Sequence, residues 1–246
     1  MSARLAVVYF PGSNCEHDVA AAWESVGGTA ELVWHTATSL GDVDAVVLPG
    51  GFAHGDYLRP GAIARFSPIM SAVARFAAEG GPVVGICNGF QVLTEAGLLP
   101  GALRRNRGLR FLCKVVECEV VSTDSVLTAR ARVGQILNIP INHFEGNYTC
   151  NETTLRELED ERLVVLRYRG DNPNGSVHAI AGITNRARNV VGVMPHPERA
   201  SDPLLGSADG RVLLQSLLAC SARELQREVA YELTPEAAHA SGSTSS

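Results

Sequence analysis

Lysine is all but missing from this chain: Lys114 is the only one, so nearly every positive charge is an arginine. With 21 basic against 26 acidic residues and a net charge of −5, no strongly basic face is expected, which argues against a nucleic-acid partner. Long apolar runs are missing too. Nothing approaches the roughly 18 apolar residues of a membrane helix, and the opening "MSARLAVVYF" has neither the charged n-region nor the cleavage site of a secretory leader. C-x-x-C pairs are absent, and the six cysteines (15, 87, 113, 118, 150, 220) are scattered. Cys113 and Cys118 sit an odd number of positions apart in a strand-like run, which sends them to opposite faces. No disulfide framework and no metal site is expected, and a reducing, cytoplasmic setting fits.

What is present is an ordinary globular composition, 46% hydrophobic and 19% charged, long enough to bury a large core without cross-links. The first hundred residues alternate strand and helix signals. "LAVVYF" (5–10) ends at Pro11-Gly12, a helical stretch covers about 13–26, and "AELVWH" (30–35) and "DAVVLPGG" (44–51) are further strands. A helix is expected over 61–79, then the strand "PVVGIC" and a short helix to Gly97. Continuously apolar strands alternating with helices predict an α/β fold with a mainly parallel central sheet covered on both faces. The middle reads as an added antiparallel region, with strands at 111–121 and 134–142, a helix at "TTLRELEDE" and a strand at 163–170. Strands at 178–185 and 190–198 close the sheet, and a last helix covers about 208–228. No linker or repeat divides the chain, so one domain is expected over 1–228, followed by a small polar tail, 229–246, expected to be disordered.

In an open parallel sheet, ligands bind outside the carboxyl ends of the strands. Three chemically suggestive stretches fall there. "GICNG" (85–89) has the form of a nucleophile elbow, with Cys87 at a tight strand-to-helix turn where unpaired N–H groups favour thiolate. In "MPHPE" (194–198), each proline holds the residue before it extended, so His196 and Glu198 project to one side as base and orienter. The Gly50-Gly51 turn ends a neighbouring strand, where the Gly51 N–H could join that of Asn88 as an oxyanion donor. Each stretch also has a bland reading, as a core cysteine, a proline turn and a glycine turn. His54 and His143, the latter with Glu145 nearby, compete with His196 for the base role, whereas His17, His35, His178 and His239 carry no matching carboxylate context. "FPGSNC" (10–15) is similar to a phosphate-cradling flavin loop, but an ordinary strand–helix turn explains it better.

Taken together, "VVLPGGFAHGDYLRPGAIARFSP", "GICNGFQ", "LTEAGLLPGAL", "NPNGS", "IAGITN" and "VMPHPERA" resemble the class I (triad) glutamine amidotransferases, over about residues 5–218. More narrowly they resemble the stand-alone glutaminase subunits of phosphoribosylformylglycinamidine synthase. The resemblance implies a flavodoxin-like fold, a catalytic triad of Cys87, His196 and Glu198, oxyanion donors at Gly51 and Asn88, and a glutamine contact at Gln91. It implies L-glutamine as substrate and ammonia delivered to a large synthetase subunit of the PurL type, assisted by a small PurS-type subunit. No cofactor is expected in this chain, because ATP and Mg would be used by the synthetase partner. One departure stands out: the family's H-G-E-G is H-F-E-G here, at 143–146. Rival readings are a glutaminase serving another synthetase, a non-catalytic scaffold, and a DJ-1-like cysteine redox sensor. The sensor family usually has His directly after its cysteine, where this chain has Asn88.

Overall fold

The computed structural model describes residues 2–221, and the expected tail at 229–246 and the end of the last expected helix lie outside these. Eleven strands and five α-helices are arranged in the order β1 (Arg4–Tyr9), α1 (Glu16–Ser25), β2 (Thr29–Trp34), β3 (Ala45–Leu48), α2 (Ile69–Ala78), β4 (Val83–Ile86), α3 (Asn88–Glu95), β5 (Ala102–Arg104), β6 (Leu112–Val120), β7 (Ile136–His143), β8 (Asn147–Thr149), α4 (Glu152–Asp160), β9 (Val164–Tyr168), β10 (Ile180–Thr184), β11 (Val190–Val193) and α5 (Arg211–Ser221).

Nine strands form one sheet in the order β2-β1-β3-β4-β11-β10-β9-β6-β7, and β5 and β8 pair separately. The first five are parallel neighbours. From β11 onward every neighbour is antiparallel. The parallel strands β3, β4 and β11 are buried at every position, as their apolar runs, without a polar residue, demand when helices cover both faces. β2 is the edge, and its Leu32 and Trp34 are partly exposed. In β6, Cys113 faces out and Cys118 is buried, as the odd offset requires.

The helix expected over 61–79 is broken. A short 3-10 turn at Ala64–Phe66 ends at Ser67, which is extended (ψ 140), and α2 begins only after Pro68. The physical reason is Pro68, whose ring disfavours helical backbone at the residue before it. Elsewhere local chemistry sets the ends: the Asn151 side chain accepts the Thr154 N–H at 2.8 Å and caps α4, whose Leu158 is buried. The three-residue pair β5–β8 has no counterpart in the sequence reading. Among the described residues no helix is long and apolar enough to cross a membrane.

Because β1, β3, β4 and β11 run parallel, their carboxyl ends open on one edge of the sheet. The segments that come directly after them (10–15, 49–56, Cys87 and 194–198) are thereby gathered there. The far edge strand also returns to this edge at its end: the Pro140 carbonyl accepts the His196 N–H at 2.9 Å.

Candidate active site

Cys87 stands between β4 and α3 with φ 52 and ψ −104, a conformation that non-glycine residues avoid at a cost of about 1–3 kcal/mol. Its N–H donates to Val193 O at 2.8 Å and its carbonyl accepts the Gln91 N–H at 3.2 Å, so neighbouring elements hold the strained turn in place. The sulfur lies 3.7 Å from the Asn142 carbonyl. α3 can start so close to the sheet only because residue 89 is glycine: a Cβ there would fall 2.0 Å from Leu48 O.

His196 and Glu198 are buried together, with His196 Nδ1 2.7 Å from Glu198 Oε1. That bond leaves His196 Nε2 buried and without a hydrogen-bond partner among the described residues. Burial by itself pulls the imidazolium pKa down, but Glu198 and the nearby Cys87 outweigh it and raise the pKa well above the ordinary value.

Gly51 has φ 146 and is bridged to Ser13, and a Cβ at this position would lie 2.6 Å from Ser13 Cα. Asn88 opens α3, so its N–H has no intrahelical partner. Its side chain does structural work: Oδ1 accepts the Ala53 N–H at 3.0 Å, fastening the loop after Gly51 to α3, while Nδ2 donates to Gln91 Oε1 at 2.8 Å. Gln91 Nε2 in turn donates to Glu145 O at 2.5 Å, tying α3 to the end of β7. A cavity of about 300 Å³ opens over these groups, lined by Gly51, Asp56, Cys87, Gln91, Arg105 and His143 among others. Burial and the nearby Glu145 raise the Asp56 carboxyl to about 6, against a partly offsetting bond from Asn88.

Of the six residues that the sequence singled out, Gly51, Cys87 and Gln91 line this cavity, Asn88 is bonded to Gln91 beside it, and the buried His196 and Glu198 lie close to Cys87. Three details differ from the sequence reading. His143 is oriented by Asn106, with Nδ1 3.1 Å from Asn106 Oδ1, and not by the nearby Glu145, whose carboxylate meets Arg105 at 3.4 Å. His178 does have a carboxylate, Glu159, at 2.9 Å. That partner lies on α4, nineteen positions earlier, out of reach of any local spacing rule. This pair is far out on the antiparallel side, also bonded to Arg167. Cys15 was missed altogether. Its Sγ, buried at the end of the 10–15 loop, lies within 4.8 Å of ligand atoms of His196 and Glu198 and accepts from Arg199 Nη2 at 3.2 Å. The only signal for it was the loop's position after β1, on the same sheet edge.

A strained cysteine after a parallel strand, beside a buried His–Glu pair that follows the next strand over, is the equipment of a thiol amidohydrolase. The chain belongs to the CobB/CobQ-like glutamine amidotransferase domain family, whose model matches residues 2–212. Within that class its relatives place it in the PurQ family. It is 56% identical over 216 residues to the phosphoribosylformylglycinamidine synthase subunit PurQ of Rubrobacter xylanophilus, covering 88% of this chain and 98% of that one. The PurQ subunit of Trichormus variabilis is 55% identical over 216 residues, covering 87% and 96%. Among solved structures, a chain of PurLQS from Thermotoga maritima superposes with a TM-score of 0.82 at 42% identity, covering 89% of this chain and 99% of that one.

Proposed function

We propose that this chain is the glutaminase subunit of phosphoribosylformylglycinamidine synthase: it hydrolyses L-glutamine and passes the ammonia to a PurL-type synthetase subunit in purine biosynthesis. The observation that carries the reading is Cys87 in its strained turn on the same sheet edge as the buried His196–Glu198 pair. The Cys87 thiolate attacks the carboxamide carbon, and the oxyanion forms against the N–H groups of Gly51 and Asn88. The His196 imidazolium gives its proton to the departing nitrogen, so the C–N bond breaks to release ammonia and leave a γ-glutamyl thioester. Neutral His196 then takes a proton from water as the oxygen attacks the thioester. Glutamate leaves, and the thiolate and imidazolium are restored. Glu198 holds the imidazole in one tautomer through both steps and favours its charged form. Gln91 supports the substrate pocket by fixing Glu145 and Asn88 at its wall.

The ATP-dependent half of the synthesis, with its ATP and Mg, falls to the synthetase partner, so no cofactor is assigned to this chain. A small PurS-type subunit completes the proposed complex, and the cytoplasm is its proposed setting. The test is to assay the complex with glutamine or with free ammonia. Cys87→Ala is expected to abolish the glutamine-dependent reaction and leave the ammonia-dependent one unchanged; equal loss of both would overturn the assignment. Reconstitution with the synthetase also separates this role from that of a glutaminase serving another enzyme.

A further inference from the structure

We propose that His143 is the residue by which the site reads its substrate as an amide: its Nε2 lone pair accepts an N–H of the glutamine carboxamide. The inference rests on the glutaminase reading above and adds a specificity-determining group to it.

The tautomer of His143 is fixed by its neighbours. Asn106 Nδ2 donates to the carbonyls of Arg110 (2.9 Å) and His143 (3.0 Å), and Asn106 Oδ1 accepts the Gly146 N–H at 3.0 Å. The atom facing His143 Nδ1 at 3.1 Å is therefore an acceptor, and Nδ1 must carry the proton. Nε2 is left as a bare lone pair. It is buried, with no hydrogen-bond partner among the described residues, and the residue as a whole is only 3% exposed. Burial and the charge of His196 lower the pKa to about 3, so the ring stays neutral at any working pH. A buried acceptor without a donor is costly to keep, and the donor that would satisfy it has to come from outside the described residues.

The place of this lone pair identifies the donor. His143 lines the same cavity as Cys87, Gly51 and Gln91. The residue before it, Asn142, presents its carbonyl to the Cys87 sulfur. A carboxamide bound with its oxygen toward the oxyanion donors has two N–H groups left to place. The Asn142 carbonyl, beside the sulfur, can accept one of them, and Gln91 Oε1 already accepts from Asn88. His143 Nε2 is the neutral acceptor still open. The product is treated differently: a γ-carboxylate offers only acceptors, so it meets the lone pair as a repulsion and is expelled. A γ-ester has no N–H either and gains nothing from His143.

The experiment compares kcat/KM for L-glutamine and for L-glutamate γ-methyl ester in the assembled complex, with and without His143→Ala. The expected result is a loss of about 10- to 100-fold on glutamine, with the ester changed by less than about threefold, and stronger inhibition by glutamate. A parallel loss on both substrates would mean that His143 only supports the fold, and no loss on either would mean that it does nothing; each overturns the proposal. Should His143→Ala not fold, the histidine ring-nitrogen resonance of His143 is followed by NMR in the complex carrying Cys87→Ala. Glutamine should move it to a hydrogen-bonded position and the γ-methyl ester should not; equal effects of the two ligands would overturn the proposal. A wild-type complex that hydrolyses neither substrate would instead defeat the glutaminase reading itself.

Discussion

The two halves of the sheet are built for different tasks. The parallel half, β2-β1-β3-β4-β11, has at its centre three four-residue strands, β3, β4 and β11, buried at every position, and the carboxyl ends of these three hold the Gly51 turn, the strained cysteine and the histidine–glutamate pair. The antiparallel half, β10-β9-β6-β7, passes from the short, buried β10 and β9 to the longer, partly exposed β6 and β7. It reaches the site only at one end, where β7 supplies the Pro140 and Asn142 carbonyls and His143. The contrast teaches a division of labour: one half places the reacting groups by backbone geometry, and the other supplies a wall that determines what fits against them.

Substitutions can break that comparison. The largest effect is expected from Glu198→Gln in the parallel half. The buried carboxylate both selects the tautomer of His196 and raises its pKa, so glutamine hydrolysis should fall by about 10³- to 10⁴-fold with the melting transition little changed. Steady-state glutamate release checks it, and a loss below about tenfold would remove Glu198 from the machinery. Next is Leu166→Ala in β9, a fully buried side chain at the centre of the antiparallel half. Here the expected effect is inverted: about 2–5 kcal/mol of stability lost in denaturant unfolding, with kcat of the folded fraction unchanged. Asp56→Asn should have the smallest effect. Its carboxyl is raised to about 6, so the folded state prefers the protonated form and the ionised form costs stability at neutral pH. Replacing it by the neutral amide should therefore stabilise the chain at neutral pH by about 1–2 kcal/mol, discounted for its half-exposed position. The gain should disappear as the pH falls below about 4, where the unfolded carboxylate is also protonated. Unfolding curves at the two pH values decide it.

The parallel half was the more legible in sequence, for a physical reason. Unbroken apolar runs such as "DAVVL" and "PVVGI" can be satisfied only in a strand buried on both faces, and the residues just beyond each run must lie at the ligand-binding edge. Cys87, His196, Glu198 and Gly51 could therefore be placed together without any coordinates. The features that escaped depended on contacts between distant segments. Asn106 and not Glu145 orients His143 because β7 and the loop after β5 meet in space; Cys15 reaches the histidine pair across some 180 positions; and Glu159 finds His178 from a different element. The break at Pro68 could have been read locally, since a proline in a helical pattern announces its own boundary. β5 and β8 are too short for periodicity to register.

The contact at residue 89 bears on how this site can drift over time. Glycine there lets α3 rest directly on the backbone of Leu48, so the start of that helix and the end of β3 are spaced by main-chain contact alone. The N–H groups of Gly51 and Asn88 lie just beyond the two touching segments, and the Asn88–Ala53 bond ties them a second time. Their separation works like a machinist's gauge block: it is set by the backbone contact at Gly89 and by the single Asn88 side chain. Side chains across the rest of the fold are therefore free to change, in lineage or at the bench, without altering the width of that gap.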